Sequence, residues 1–110
     1  MIYLPDTNIL IGVITNRKGH PALLERLLAE HRLLATCATV VGEVYAGMRP
    51  AEEARTHVLM ESMEFLPTTH EIARRGGILR RDFMRKGKTL SLADMTIAAL
   101  AMAYNCWCKS

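Results

Sequence analysis

Short apolar runs alternate along the chain with longer segments of helical periodicity. Residues 1–5, 33–37 and 65–67 are brief runs rich in apolar side chains, which is typical of buried strands. Between these runs, apolar residues recur every three or four positions and charged residues occupy the other faces, which indicates amphipathic helices. Strands that alternate with helices through short loops favour a parallel sheet with helices on both faces. We therefore predict an α/β fold, a three-layer α/β/α sandwich around a short, mostly parallel central sheet.

Polar capping residues mark the predicted starts of several helices. Thr39 is predicted to cap a helix with an apolar stripe, and Thr68 or Thr69 to cap a helix that is rich in basic residues. In that basic helix, Gly76-Gly77 predicts a kink or a close approach of another element. Further helices are predicted to open near Ile9, to occupy residues 51–63, and to bury a leucine stripe made of Leu23, Leu24, Leu27 and Leu28.

Asp6 follows the first predicted strand directly and precedes a helix. An aspartate is a preferred helix N-cap, and this structural role needs no chemistry. In open α/β sheets, however, ligands bind just beyond the carboxyl ends of the strands, where Asp6 is expected to lie. This stretch by itself favours the capping role over a catalytic one.

Two further acids occupy unusual surroundings. Glu43 lies at the margin of an apolar helical stripe, with Thr39 one turn before it and Gly47 one turn after, so there is space in front of its carboxylate. Asp94 is the only charged residue between Leu92 and Tyr104, in a helix that we predict to be buried on all sides and to be capped by Ser91. The helix's own N-terminal amides or a metal ion could each stabilise this carboxylate.

The three acids together suggest a metal site. In a parallel layout, strand ends and the helix starts that follow them lie on one edge of the sheet. Carboxylates crowded at that edge would raise each other's pKa unless a divalent cation joined them. Oxygen ligands suit Mg²⁺ or Mn²⁺, and such an ion can activate water for attack on a phosphodiester. Asp6, Glu43 and Asp94 are therefore the predicted catalytic and metal-binding residues.

Half of the basic residues lie in one stretch. Seven of the fourteen lysines and arginines fall between Arg74 and Lys88, together with a single acid, Asp82. Such a stretch can bind the phosphates of a polyanion, although a solvated helix face is the slightly favoured explanation of this stretch by itself. The candidates for contact with an RNA backbone are Arg80, Arg81, Arg85 and Lys86.

The composition limits the remaining possibilities. A chain of 110 residues, half of them hydrophobic and with a net charge of +3, predicts one globular domain spanning residues 1–110. The apolar runs are too short to span a bilayer, and no export signal is recognisable, so we expect a cytoplasmic protein without a membrane partner. The three cysteines are accordingly expected to be reduced thiols, and Cys106-x-Cys108 lacks the second ligand pair of a structural zinc site.

Three blocks of sequence resemble the signature motifs of PIN domains. They are residues 6–11 (Asp-Thr-Asn-Ile-Leu-Ile), 39–47 (Thr-Val-Val-Gly-Glu-Val-Tyr-Ala-Gly) and 91–99 (Ser-Leu-Ala-Asp-Met-Thr-Ile-Ala-Ala). The chain is most similar to the VapC-type toxins of bacterial toxin–antitoxin pairs. This resemblance implies a Mg²⁺-dependent endoribonuclease that leaves 5′-phosphate ends, a cognate antitoxin and a homodimer. It also implies that Thr7, Asn8 and Ser91 support the metal site or contact the substrate.

Two departures from the family pattern affect these expectations. Pro5 stands where the family has a residue able to donate to the sheet, so the strand loses a hydrogen bond if it is central. No acid follows Asp94, although the family continues into a further strand and a fourth acid. The last strand is therefore expected to be missing or incomplete. Two functions stay open: an active ribonuclease toxin, or a catalytically impaired PIN module that only binds an antitoxin or RNA.

Overall fold

The centre of the molecule is a parallel sheet of four short strands. The computed structural model describes residues 2–15, 25–26, 29 and 33–109, with only the backbone for residues 107–109. The strands are β1 (Ile2–Pro5), β2 (Leu33–Cys37), β3 (Glu64–Leu66) and β4 (Trp107–Lys109). They lie in the order β3-β2-β1-β4, and each neighbouring pair is parallel. The predicted α/β fold with a parallel central sheet is confirmed.

β1 occupies an inner position because it pairs with β2 on one side and with β4 on the other. Tyr3 and Leu4 are fully buried in the core, as expected for an inner strand of a parallel sheet. Pro5 is the last residue of β1 and is paired in register with Lys109. A proline lacks the N–H that a ladder requires, and its position at the strand's end limits the loss to one donor. The last strand, β4, is short, as expected from the sequence. Its three residues nevertheless pair with residues 3–5 of β1.

Five helices are fully described. They are α1 (Thr7–Ile14), α2 (Ala38–Ala46), α3 (Glu53–Glu61), α4 (His70–Arg85) and α5 (Leu92–Ala103), with a 3₁₀ turn at Pro50–Glu52 before α3. Glu25 and Arg26 are helical and exposed, in agreement with the predicted second helix, whereas its leucine stripe (Leu23, Leu24, Leu27 and Leu28) lies outside the described residues.

Three details of the sequence-based prediction were wrong. Thr39 does not cap α2, because the helix follows β2 directly with Cys37 at the N-cap position and no side-chain cap bond. The helix predicted over residues 51–63 is shorter and begins with a 3₁₀ turn. α5 is not buried on all sides: Leu92 is 54% and Met102 60% exposed.

The paired glycines of α4 mark a close approach at one position only. A Cβ atom at Gly76 would lie 2.8 Å from the Thr96 Cα of α5, whereas a Cβ at Gly77 would meet nothing within 4 Å. Real Cβ atoms do not approach backbone atoms that closely, so a side chain at position 76 would force the two helices apart. Gly76 therefore permits the contact between α4 and α5, which we call the α4–α5 seam.

Strand and helix side chains form one hydrophobic core between the sheet and the helices. Its largest fully buried apolar members are Tyr3, Leu4, Leu10, Leu100, Val40 and Val44. Cys37 and Cys106 are free thiols, and burial raises the pKa of the Cys106 thiol. None of the helices in the described part of the chain is both long and apolar enough to cross a membrane.

Candidate active site at the carboxyl edge of the sheet

Asp6 lies where β1 ends and α1 begins. Its backbone is extended (φ −76°, ψ 166°), and its Oδ1 accepts a hydrogen bond from the Ile9 N–H at 3.1 Å. The capping role predicted from the sequence is thus confirmed. Capping uses only one carboxylate oxygen, and the half-buried side chain keeps the other for further contacts.

Thr7 connects the start of α1 with Glu43 on α2. The Thr7 hydroxyl donates a hydrogen bond to Glu43 Oε1 at 2.9 Å, across 36 positions of the chain. Because Thr7 directly follows Asp6, this bond brings the second predicted acid to the same end of the sheet as the first. Asn8, the next residue of α1, is exposed.

Asp94 lies in the first turn of α5. Its backbone N–H donates to the Ser91 Oγ at 3.0 Å, so Ser91 is the N-cap of α5 as predicted. The carboxylate of Asp94 is exposed. An acid in the first turn is favourable because the N-terminal end of a helix carries a partial positive charge.

The topology places Asp94 near the edge of the sheet where Asp6 lies. Three residues join α5 to β4, and the Cys106 N–H donates to the Ala101 carbonyl at 2.8 Å. The end of α5 therefore adjoins the start of β4, which is parallel to β1. A helix that packs antiparallel to the following strand starts near the carboxyl edge of the sheet, and Asp94 lies in that first turn.

The donor chemistry of these residues fits a hard divalent cation. Asp6, Glu43 and Asp94 contribute carboxylate oxygens, the ligands preferred by Mg²⁺ and Mn²⁺. Within the described part of the chain, none of the three forms a salt bridge that would neutralise it. Among the same residues, however, no three His, Cys, Asp or Glu side chains lie together closely enough to hold a metal ion. Metal ligation by these three carboxylates stays a prediction.

The arginines of α4 divide into paired and unpaired residues. Glu71 binds Arg74 at 2.6 Å and Arg75 at 3.4 Å, and Arg81 contacts Asp82 at 3.2 Å. Arg74 lowers the pKa of the Glu71 carboxyl mainly through its hydrogen bond. The other predicted RNA-contact residues are Arg80, whose Nε is buried without a hydrogen-bond partner, and the exposed Arg85 and Lys86 at the end of α4.

One series of hydrogen-bonded side chains was not predicted from the sequence. The hydroxyl of Tyr45 on α2 lies 2.8 Å from His57 Nδ1 on α3, and His57 Nε2 lies 3.4 Å from Glu53 Oε1. The i,i+4 spacing of Glu53 and His57 was a readable signal, but the contact with Tyr45 depends on how the two helices pack. These residues connect the helix that carries Glu43 to its neighbour.

Comparisons with known proteins identify the family of this chain. Residues 3–107 match the model of the PIN domain family. Ribonuclease VapC10 of Mycobacterium tuberculosis is 37% identical over 100 residues, which cover 89% of this chain and 73% of that protein. A toxin–antitoxin complex from Klebsiella pneumoniae contains a chain of 27% identity that superposes with a TM-score of 0.79, covering 96% of this chain and 82% of the other.

A further solved structure supports the fold alone. The complex of VapBC2 from Rickettsia felis with a promoter DNA fragment superposes with a TM-score of 0.82 at 24% identity, over 98% of this chain and 86% of the other. The similarity to PIN domains inferred from the three sequence blocks is confirmed over nearly the whole chain. The protein belongs to the PIN domain family.

Proposed function

We propose that this protein is a Mg²⁺- or Mn²⁺-dependent endoribonuclease and the toxin of a toxin–antitoxin pair. The relative from Mycobacterium tuberculosis is named a ribonuclease, and the similar chain from Klebsiella pneumoniae belongs to a toxin–antitoxin complex. Family membership supports nuclease activity, and the acids of this chain supply the chemistry that such an activity needs.

The hydrogen bond between Thr7 and Glu43 is the observation that carries the proposal. A threonine at the start of α1 and an exposed glutamate of α2, which lie 36 positions apart in the chain, are joined by a side-chain hydrogen bond, as expected for two parts of one site. Thr7 donates to one oxygen of Glu43, which restricts the carboxylate's rotation and leaves the second oxygen free. The bond supports a location of Glu43 near the start of α1, at the edge of the sheet where α/β proteins bind ligands.

Each acid has a separate supporting element. The Asp6 carboxylate is oriented by its cap bond to α1 and that of Glu43 by Thr7, whereas Asp94 lies in the first turn of α5, which Ser91 caps. In this proposal Asp6 and Asp94 are the principal ligands of the divalent ion, and Glu43 completes the site or orients the attacking water. When bound, such an ion lowers the pKa of water and stabilises the charge that develops on a phosphodiester.

The end of α4 supplies positive charge near this edge. Arg85 and Lys86 immediately precede the segment that leads to Ser91, and they are exposed. Arg74 and Arg75 lie near the other end of the helix, about 16 Å away at 1.5 Å per residue, and are paired with Glu71. RNA phosphates are therefore expected to contact the C-terminal half of α4.

The proposed partners follow from the relatives. We propose a cognate antitoxin because the similar chain from Klebsiella pneumoniae belongs to a toxin–antitoxin complex. In this proposal the antitoxin blocks the acidic edge, and both proteins are cytoplasmic. We also propose a homodimer, for which the edge strands β3 and β4 offer unpaired backbone groups.

The decisive experiment is cleavage of RNA by the 110-residue chain with Mg²⁺ and with EDTA. Asp6→Asn and Asp94→Asn are the test variants, and Glu61→Gln, an exposed acid on α3, is the matched control. Asparagine is as good an N-cap as aspartate, so Asp6→Asn removes the charge and keeps the helix start. Loss of a metal ligand is expected to reduce cleavage by about 100-fold or more, with thermal stability unchanged.

Each result of this experiment selects a function. Metal-dependent cleavage that both asparagine variants lose, and that the control retains, supports the ribonuclease. A wild-type chain that binds an antitoxin or RNA and cleaves none with either metal selects the binding module instead. Cleavage that persists in Asp6→Asn and Asp94→Asn would show that these acids are not its catalytic residues.

A further inference from the structure

Arg80 differs from the other arginines in the middle of α4. Arg74, Arg75 and Arg81 are more than half exposed and each contacts an acid. Arg80 is partly buried, its Nε is sealed from solvent, and this N–H has no hydrogen-bond partner. Within the described residues, no carboxylate forms an ion pair with it.

The position of Arg80 follows from the α4–α5 seam. Gly76 contacts Thr96 of α5, and Arg80 lies one helical turn further on the same face of α4. Six residues, 86–91, connect the two helices, so they run in opposite directions. Starting from the contact between Gly76 and Thr96, a step of one turn towards the C-terminus of α4 therefore leads to residues one turn closer to the N-terminus of α5. Arg80 lies beside the first turn of α5, the turn that Ser91 caps and that contains Asp94.

The electrostatic field of the helix start alone does not favour a cation at this position. The start of a helix carries a partial positive charge, and a partly desolvated guanidinium next to it gains nothing from that field. A buried donor without an acceptor adds a further penalty. An anion at this place would accept from the guanidinium and would interact favourably with the start of α5.

We propose that Arg80 binds a phosphate of the RNA backbone at the first turn of α5 and thereby positions the strand near the acidic edge. This inference rests on the proposed ribonuclease function. It assigns to Arg80 the phosphate contact that the sequence suggests only for the basic stretch as a whole. Arg81, which Asp82 already neutralises, makes no comparable contribution. Arg80 is a positioning residue, because it holds the substrate and takes no part in proton transfer.

The test compares Arg80→Gln with its neighbour Arg81→Gln, which removes the same charge. The probe is a single-stranded RNA oligonucleotide, and its binding is measured by fluorescence anisotropy in EDTA at several salt concentrations. Arg80→Gln is expected to weaken binding about 10-fold, and to reduce the salt dependence by about 0.7 in the log–log slope, the value for one phosphate contact on a single strand. Arg81→Gln is expected to change both quantities much less, and Arg80→Lys to retain part of the affinity.

A stability measurement separates this role from a purely structural one. If Arg80 lacks a partner in the free protein, Arg80→Met raises the midpoint of thermal unfolding by about 3 °C while RNA binding falls. A lower midpoint for Arg80→Met, or equal RNA affinities of Arg80→Gln and Arg81→Gln, would overturn the inference. Cleavage is assayed separately in Mg²⁺. A wild type that binds RNA with the predicted Arg80 dependence but cleaves none contradicts the ribonuclease proposal alone.

Discussion

The α4–α5 seam and the acidic edge of the sheet meet at the first turn of α5, but they differ in what stabilises them: close backbone packing in the seam and a few hydrogen bonds at the edge. In the seam, backbone approaches backbone, and there is no space for one carbon atom at Gly76. At the edge, the carboxylates of Asp6 and Glu43 each accept one hydrogen bond, and the backbone N–H of Asp94 donates one. All three carboxylates are exposed or half-buried.

This difference separates substitutions that unfold the protein from those that disable it. In the seam, stability depends on shape, so the smallest side chain is already too large. At the edge, stability depends on a few hydrogen bonds that other residue types can also make. Removing a charge while keeping the bond should therefore leave the fold intact, and the following experiments test this separation.

The largest effect is expected from alanine at Gly76 compared with alanine at Gly77. At position 77 alanine has free space and favours the helix by about 1 kcal/mol. At position 76 the same gain is outweighed by the overlap with Thr96, so a net loss of about 2 kcal/mol is expected. Chemical denaturation of both variants measures the difference. Equal stabilities would show that the helices separate without cost.

Asp6→Ala compared with Asp6→Asn is expected to have the next largest effect on stability. Alanine removes the cap of α1 and should cost about 1 kcal/mol, whereas asparagine keeps the bond to the Ile9 N–H. Both variants are expected to lose RNA cleavage to the same degree. If stability and cleavage fell together in both variants, the capping and the catalytic roles of Asp6 could not be separated.

Thr7→Val should act mainly on the position of Glu43. The lost hydrogen bond is partly exposed, so its contribution to stability is expected to be about 0.5 kcal/mol. The Mg²⁺ concentration that gives half-maximal cleavage is expected to rise about 10-fold, because the carboxylate is no longer oriented. Thr7→Ser retains the hydroxyl and serves as the control. An unchanged Mg²⁺ requirement in Thr7→Val would remove Glu43 from the metal site.

The smallest expected effect is the pH dependence of Glu71, at the end of α4 remote from the acidic edge. Its pKa is lowered by Arg74, so the stability that the pair contributes is present above the ordinary glutamate pKa. That contribution is lost as the pH falls through the lowered value. NMR titration should show a Glu71 pKa below the ordinary 4.5, returning towards it in Arg74→Gln. Since the pair is exposed, the unfolding midpoint should scarcely change.

Local patterns were sufficient to predict most of the elements and their caps. Ser91, Thr69 and Asp6 each accept a hydrogen bond from the backbone N–H three residues later, as their positions before apolar helical segments indicated. β2 covers residues 33–37, as predicted. Thr39 misled the prediction because the strand passes into α2 without a loop, so the cap position falls on Cys37, where no polar side chain marks it.

Contacts between distant residues could not be predicted from such patterns. The bond from Thr7 to Glu43 and the pairing of Tyr45 with His57 depend on how helices pack in three dimensions. The exposure of Leu92 and Met102 depends equally on which neighbours cover α5, since an apolar helix does not reveal which of its faces is covered. The three acids were identified by their unusual sequence surroundings, and their role as metal ligands stays a prediction.

The pairing of β4 with β1 has a consequence for biosynthesis. Residues 3–5 are translated more than one hundred residues before their partners, residues 107–109. Throughout that interval the nascent chain exposes one unpaired side of an apolar strand, a known hazard for association with other chains. The sheet can be completed only after residue 109 has emerged from the ribosome, so the pairing of β4 with β1 is expected to be the last step in forming the sheet.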